Sequence, residues 1–310
     1  MLPASVANAK LRFDFLGMKT FSFLCTRGRK PFGACAVALL GLIFLGPLGL
    51  GDRSMDYSFK LRHRFSKNAA KPSEEIALVF MPPSETGDWQ PYIQVLQRLQ
   101  DWRCRAVVWD FDFTNEAWNT RLPEFEGSLS NAITTAGLHL AFAARVEEFR
   151  TPTNTFFQYR SRMHSGISNM ISHLNATVGN VGIGLANLNR EHSDGTIRRH
   201  VIDKDFGTIL PLAIATARLL EKKVGEDSHW INYYGPPGTI PWYESPEVLN
   251  QDDLRSIFTN RVVFIGAGPA ITTNQHLPDR HKTPFTTGSS NTSSGVEIHA
   301  TLYSNAVLDE

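Results

Sequence analysis

The chain has 310 residues, enough for one large domain or two ordinary ones. It is 42% hydrophobic and 20% charged, which is typical of a folded chain and excludes a largely disordered one. The net charge of +1 gives no general attraction to nucleic acid, so we expect no nucleic-acid partner. Of three cysteines, only Cys104 lies beyond the N-terminal region, which excludes a disulfide within the main domain.

The first predicted element is a membrane span at residues 31–51, which carry no charge. Their length matches the ~20 residues that a helix needs to cross a bilayer. A buried core helix would need a polar stripe or neighbouring helices, and the sequence shows neither. A cleaved signal peptide is the closer alternative, because Gly49 and Gly51 are small residues ahead of Asp52. The 30 preceding residues and the long apolar run favour an uncleaved anchor.

The charges beside this span predict its orientation. Arg27, Arg29 and Lys30 lie close on the N-terminal side, whereas Arg53 stands alone close on the other side. The positive-inside rule then keeps the N-terminus in the cytoplasm. We therefore expect a cytoplasmic segment at 1–30, a transmembrane helix at 31–51 and an exported domain at 52–310.

Strand and helix patterns alternate after the span. A linking helix is expected at 56–64, and hydrophobic periodicity predicts the later elements. The predicted strands are 75–81, 105–113, 138–146, 181–189, 196–202, 229–235 and 261–267. The predicted helices cover 92–102, 122–136, 210–223, 246–258 and 296–308.

Two features complete the predicted fold. The polar stretch 147–180 is interpreted as a long excursion or lid, and Asp194-Gly195 predicts an antiparallel hairpin. The fold class is therefore α/β, with a mixed, mostly parallel sheet flanked by helices and preceded by one transmembrane helix.

The stretch RVVFIGAGPAITTN, residues 261–274, resembles the phosphate-binding turn of a dinucleotide fold. The third small residue of that fingerprint is replaced by Ile271, no helix pattern follows, and no acid lies about 20 residues on. We therefore expect no nucleotide cofactor, and no cofactor of another kind. Gly266 and Gly268 are interpreted as allowing a sharp turn at the end of a strand.

Polar residues near strand ends are the ligand-binding candidates. Asp110 and Asp112 alternate in one strand, so both point to one face, and the alternative is that they bond to loop amides. Arg198 is placed to pair with an acid such as Asp110 or to bind an anion. Asn232 lies in an apolar stretch, and pinning the turn at Gly235 and Pro236 is its alternative role.

His276, Asp279 and His281 share one loop and have the side chains that zinc prefers. Their spacing, without a helix or hairpin, is a weak metal signal, so we expect no metal site. Glu297 and His299 begin the last helix, where an acid favours the positive end of the dipole, and both are interpreted as structural.

Seven motifs in order then resemble the type-two CHASE domain family, the extracellular sensory domains of bacterial cyclase and histidine-kinase receptors. The motifs are DYSFKLR (56–62), AVVWDFDF (106–113), GLANLNREHSDGTIRR (184–199), LPLAIATARLL (210–220), INYYGPPGTIP (231–241), RVVFIGA with Asp279 and TPF (261–285), and GVEIHATLYSNAVL (295–308). Residues 87–92 match only at a tryptophan, and 147–180 has no counterpart. Asp279 is the one member of the histidine-rich loop that the pattern covers.

The resemblance implies a sensor rather than an enzyme. Together with the predicted span and its flanking charges, the resemblance gives a single-pass protein of the bacterial inner membrane with a periplasmic or extracellular main domain. Its expected partners are the lipid bilayer, an unknown small-molecule ligand and a second copy in a homodimer. Such receptors continue into further membrane helices and a cyclase or kinase output domain, whereas this chain ends at Glu310 without such motifs. We therefore expect either a truncated receptor, whose output domain would be a further partner, or a stand-alone sensor half. An exported metal-dependent hydrolase that uses Asp279, His276 and His281, and a nucleotide-binding oxidoreductase, are the alternative functions.

Overall fold

A computed structural model gives the fold of the second of two compact units, Met55–Glu310. The structure describes residues 56–61, 71–82, 88–111, 113, 122–150, 157–161, 163, 165–190, 194–200, 210–224, 230–269, 279–286 and 291–308. Helix is present at 56–61, within the predicted linking helix, and we call this segment the linker helix. The predicted span at 31–51 lies outside these ranges. Within them, no helix has the length and the apolar character needed to span a bilayer.

Six parallel strands form the central sheet, in the order β6-β3-β2-β10-β1-β9. They are β1 (Ile76–Phe80), β2 (Ala106–Asp110), β3 (His139–Ala144), β6 (Val181–Leu185), β9 (Trp242–Glu244) and β10 (Val262–Gly266). The central strands are buried on both faces, which explains their continuous apolar sequences. Two antiparallel pairs lie apart from this sheet, β4 (Val146–Arg150) with β5 (Phe157–Ser161), and β7 (Leu188–Arg190) with β8 (Ile197–His200). The predicted α/β class with a parallel sheet flanked by helices is confirmed.

Helices cover both faces of the sheet. On one face α1 (Gln90–Asp101), α2 (Leu122–Ala136) and α3 (Ser165–Thr177) join a core that includes Val107, Trp109 and Ile265. The short helices α5 (Ser245–Asn250) and α6 (Arg255–Phe258) contribute to the same core. On the other face α4 (Leu212–Leu219) and α7 (Gly295–Leu308) pack with Val108, Phe264 and Phe59 of the linker helix. Each face therefore has its own hydrophobic core.

Some predicted elements differ from the structure. The 147–180 stretch is not wholly a lid, because it contains most of β4, all of β5 and helix α3, which buries Ile167, Met170, Ile171 and Leu174. Residues 231–234 are irregular although their sequence alternates, and the short edge strand β9 was not predicted. The predicted helix 246–258 is interrupted at Gln251, and the predicted strand 181–189 divides into β6 and β7.

Candidate functional site

A crevice is expected where the chain leaves neighbouring strands toward opposite faces of a parallel sheet. β2 and β10 are such neighbours, with Asp110 beside Gly266 at their carboxyl ends. The chain after β2 leads to α2 on one face, whereas the chain after β10 leads to α7 on the other. The carboxyl ends of β2 and β10 therefore form a topological switch point, which we call the switch crevice.

Asp110 lies at this crevice on the α7 side of the sheet. Trp109 belongs to the core on the α1 side and Val108 to the α7 side, so the alternation of the strand directs Asp110 toward α7. Burial and the negative charge of Asp279 raise the pKa of Asp110, and Arg145 partly opposes them. Asp112, the second predicted acid of this strand, lies outside the described residues.

Asp279 caps the N-terminus of α7. Its Oδ2 accepts a hydrogen bond of 2.6 Å from the backbone N–H of Gly295, and its Oδ1 lies 2.7 Å from Nε2 of His281. A negative carboxylate is favoured at this end of a helix because the peptide dipoles and free amides point toward it. Both carboxylate oxygens are therefore engaged by the protein itself.

His281 comes from the same loop as Asp279, and its backbone bonds to Ser293 in both directions, at 2.9 and 3.1 Å. His276, the third residue of the possible zinc set, lies outside the described residues. No cluster of three histidine, cysteine or acidic side chains with metal-binding geometry occurs in the part of the chain that the structure describes.

His299 lies one helical turn after Gly295 on α7 and is 2% exposed. Its Nε2 is 3.3 Å from the carbonyl oxygen of Ala186, which places the proton on Nε2. The other ring nitrogen, Nδ1, is buried without a hydrogen-bond partner. Burial lowers the pKa of His299 to about 4, so the ring is neutral at physiological pH and Nδ1 is a free acceptor. From the sequence alone, His299 is interpreted as structural. The spacing of four residues from Gly295, which places both on one helical face, is the signal that could have placed it beside the cap.

Gly266 and Gly268 have a packing role. A Cβ on Gly266 would lie 2.8 Å from Cβ of Val296 and 3.0 Å from the carbonyl oxygen of Asp110. A Cβ on Gly268 would lie 3.0 Å from the ring of Phe80. The close approach of α7 and of Phe80 thus explains both glycines, and neither has the positive φ that a sharp turn would require.

Arg198 is the centre of a buried ion cluster away from Asp110. Its guanidinium, 1% exposed, donates to Asp56 at 2.9 and 2.7 Å and to Asp194 at 3.1 and 2.8 Å. Burial alone would lower the pKa of Arg198, but the two carboxylates outweigh this effect and raise it. The hydrogen bond from Arg198 holds the pKa of Asp194 far below its ordinary value. The linker helix is thereby fixed to the β7–β8 hairpin.

The turn of this hairpin has the expected chemistry. Gly195 has a φ of +70°, and Oδ1 of Asp194 accepts a hydrogen bond of 2.9 Å from the N–H of Thr196. Asp194 therefore both shapes the turn and pairs with Arg198.

Asn232 and the turn at Gly235 and Pro236 pack against α7. The backbone of Asn232 exchanges two hydrogen bonds of 3.0 Å with the side chain of Asn305. Within the turn, the N–H of Thr239 donates to the carbonyl oxygen of Pro236 at 3.2 Å. Asn305 and Glu297, both on α7, thus bind this irregular segment at two points.

Glu297 binds the turn through its carboxylate. Oε1 accepts a hydrogen bond of 2.7 Å from the N–H of Gly238. Burial raises the pKa of Glu297 to about 7, against the opposing effect of backbone hydrogen bonds from residues 238–240 and of the Ser293 side chain. A small polar cavity beside it is lined by Tyr233, Tyr234, Ser293, Thr301 and Glu297.

These observations define a class of protein: a parallel α/β domain in which two acids, Asp110 and Asp279, lie close together at a switch point of the sheet. The model of the CHASE2 domain family matches residues 34–309. The chain therefore belongs to the CHASE2 domain family, the sensory extracellular domains of signalling receptors, as the seven motifs predicted. Neither the curated proteins nor the solved structures include a significant match.

Proposed function

We propose that this chain is an exported sensory domain, held in a bacterial inner membrane by residues 31–51, which binds a small ligand in the switch crevice. The observation that carries the proposal is an unsatisfied buried acceptor, Nδ1 of His299, together with an acid that lacks a described partner, Asp110, each within electrostatic reach of Asp279. The Asp110 carboxyl has no hydrogen bond or ion pair to another described residue, and Nδ1 of buried His299 has no partner. Buried polar groups are normally satisfied, so a ligand that supplies their partners is stabilised.

A continuous set of contacts supports transmission from this crevice to the membrane segment. The loop that holds Asp279 also contains Lys282, whose carbonyl oxygen accepts a hydrogen bond of 2.8 Å from the N–H of Ile197 in β8. The next residue of β8 is Arg198, which binds Asp56 in the linker helix. Asp56 lies only five residues after the end of the predicted span. A shift of the Asp279 loop would therefore act on the linker helix through one strand and one ion cluster.

The topology is tested with reporter fusions after Glu310. Alkaline phosphatase should be active there, because it needs export, and a cytoplasmic reporter should be inactive. Deleting residues 31–51 should reverse both results. An inactive phosphatase with an active cytoplasmic reporter in the intact chain would contradict the proposal.

Mass measurement of the membrane-bound chain distinguishes an anchor from a signal peptide. The anchor predicts that the mature protein retains residues 1–51 and stays with the membrane after a carbonate wash. A mature protein that begins at Asp52 and is released in soluble form would contradict the anchor, while leaving export intact.

A further inference from the structure

The polar groups of the switch crevice meet around the N-terminus of α7. The position of a Cβ on Gly295 lies 3.0 Å from Oδ2 of Asp279 and 3.4 Å from Nε2 of His281, so this face of α7 looks toward both side chains. His299 follows Gly295 by four residues and therefore shares that face. Asp110 joins them from the sheet, because Gly266 borders both its backbone carbonyl oxygen and Val296 of α7, and its carboxyl group lies close enough to Asp279 to feel that charge.

The groups that remain free in this cluster are Nδ1 of His299, which is an acceptor, and the carboxyl group of Asp110, which accepts through both oxygens when it is ionised. The carboxylate of Asp279 is already used by Gly295 and His281. His299 offers the lone pair of Nδ1, since its single proton is directed at Ala186. Asp110 offers its carboxyl group, and the structure pairs it with no cation among the described residues. The nearby cation, Arg145, follows β3 and has an exposed side chain.

We infer that the ligand of the switch crevice is a small organic cation, a protonated amine whose N–H groups donate to Asp110 and to Nδ1 of His299. This inference rests on the proposed function and names the class of ligand for the same site. A cation offsets the repulsion between Asp110 and Asp279 and supplies donors to both free acceptors. An anion would be repelled by Asp279 and would oppose ionisation of Asp110 further, and a neutral hydrocarbon would supply no donor to Nδ1 of His299.

The raised pKa of Asp110 supports this inference, because binding of a cation and ionisation of Asp110 are thermodynamically coupled. Burial and Asp279 favour its protonated form, whereas a bound cation favours the carboxylate. Amine binding should therefore release a proton and should weaken as the pH falls through the raised pKa of Asp110. The other titratable and charged groups that face the site are Asp279, His281, His299 and Arg145.

The test uses the full chain in detergent micelles, with ethanolamine and 1,4-diaminobutane as the cationic probes. Sodium propionate and 1,4-butanediol are the anionic and neutral probes, at matched ionic strength. The amines should raise the Tm in a saturable manner, by about 2–4 °C for each kcal/mol of binding free energy. D110N and H299Q should each abolish this rise, since Gln retains the donor toward Ala186 and lacks the Nδ1 acceptor. D253N is the control, because Asp253 is exposed and lies among the helices on the other face of the sheet. This variant should retain the rise in Tm.

Three outcomes decide the inference. Saturable stabilisation by the amines that both crevice variants remove would support it. No stabilisation by either amine, or stabilisation that persists in D110N and H299Q, would overturn it. Stabilisation by propionate or butanediol that depends on Asp110 would overturn the cationic class and leave the sensory function standing, and the reporter fusions test that function separately. Circular dichroism of each unliganded variant confirms that it is folded before its Tm is compared.

Discussion

At the scale of single residues, the buried charges divide into those that are satisfied and those that are not. Arg198 donates four hydrogen bonds to two carboxylates, so the charge of its buried guanidinium is compensated. Glu297 is held by the N–H of Gly238, yet burial still opposes its charge. Asp110 lacks any described partner. These differences decide how each residue affects stability and ligand binding.

Arg198→Met should destabilise the fold strongly. Removal of one partner from a buried ion pair costs about 3–5 kcal/mol, because the remaining charges keep their desolvation penalty. Urea unfolding monitored by circular dichroism measures this loss. Arg218→Met, at an exposed position on α4, is the matched control and should change the unfolding free energy by less than about 0.5 kcal/mol. Equal effects of the two substitutions would contradict the role of the cluster.

The Asp194 carboxylate adds a pH dependence in acid. Its pKa is lower in the folded than in the unfolded state, so its stabilising effect is complete above the unfolded value and is lost as the pH falls toward the folded value. Stability of the wild-type chain should therefore decline below about pH 4, near the unfolded aspartate pKa. Urea unfolding at a series of pH values below 6 measures this decline in the unfolding free energy. The unfolding free energy of Asp194→Asn should depend less steeply on pH over the same range.

Glu297 should have the opposite pH dependence. Its folded pKa of about 7 lies above the ordinary value of 4.5, so folding favours the protonated form. The unfolding free energy should fall as the pH rises from about 4.5 to about 7, by up to about 3 kcal/mol. Glu297→Gln keeps the size of the side chain and removes the titration. Its stability should be flatter across this range, and an unchanged slope in the variant would contradict the assignment.

At the scale of secondary structure, the sequence predicted most strands and helices because their apolar periodicity agrees with their burial. Ile76–Phe80 and Val262–Gly266 are continuous apolar runs in a sheet that is covered on both faces. The prediction failed at residues 231–234: the N–H of Ile231 still bonds to Arg198 of β8, but the side chain of Asn305 takes both backbone hydrogen bonds of Asn232. It also failed at Trp242–Glu244, because three residues are too few for a periodic signal.

The candidate site was predictable only in part. The acid at a strand end was visible at Asp110, since a carboxylate directly after an apolar run is unusual. The cap formed by Asp279 on Gly295 joins residues 16 apart through a loop, and no local pattern reports such a contact. The pairing of Arg198 with Asp56 spans 142 residues and was equally invisible.

Close packing between elements gives a further prediction. A Cβ on Gly184 of β6 would collide with the backbone of Leu212 at the start of α4. Gly184→Ala should therefore destabilise the protein by about 1–3 kcal/mol, because the helix must move away from the sheet. Gly127→Ala in α2 is the matched control, since nothing lies within 4 Å of its Cβ position. It should stabilise the helix by about 0.5–1 kcal/mol. Thermal unfolding should therefore show a lower Tm than wild type for Gly184→Ala and a higher Tm for Gly127→Ala.

At the scale of the whole molecule, the central question is whether the switch crevice and the linker helix are energetically coupled. The connection runs from the Asp279 loop through Lys282 and Ile197 to Arg198 and Asp56. Residues that lie far apart and share no partner contribute additively to stability. Deviation from additivity therefore measures the proposed transmission without knowledge of the ligand.

Homodimer formation and an attached output domain stay predictions from the family resemblance.

A double-mutant cycle between Asp279→Asn and Asp56→Asn should give a coupling free energy of about 0.5–2 kcal/mol. The cycle between Asp253→Asn and Asp56→Asn serves as the control and should be additive within about 0.5 kcal/mol. Unfolding free energies of the five proteins and the wild type provide both values. Additivity in the first cycle would show that the crevice and the linker helix respond independently.

The last helix has a mechanical consequence. All residues of α7 from Gly295 to Ala306 are buried, so it has almost no side facing water. Such a helix has no free surface along which to bend or roll, and at 1.5 Å per residue its 14 residues make a stiff rod about 21 Å long. A displacement of its capped end at Gly295 would therefore be expected to move Leu308 as well. We therefore expect α7 to move as one rigid element within the packed domain.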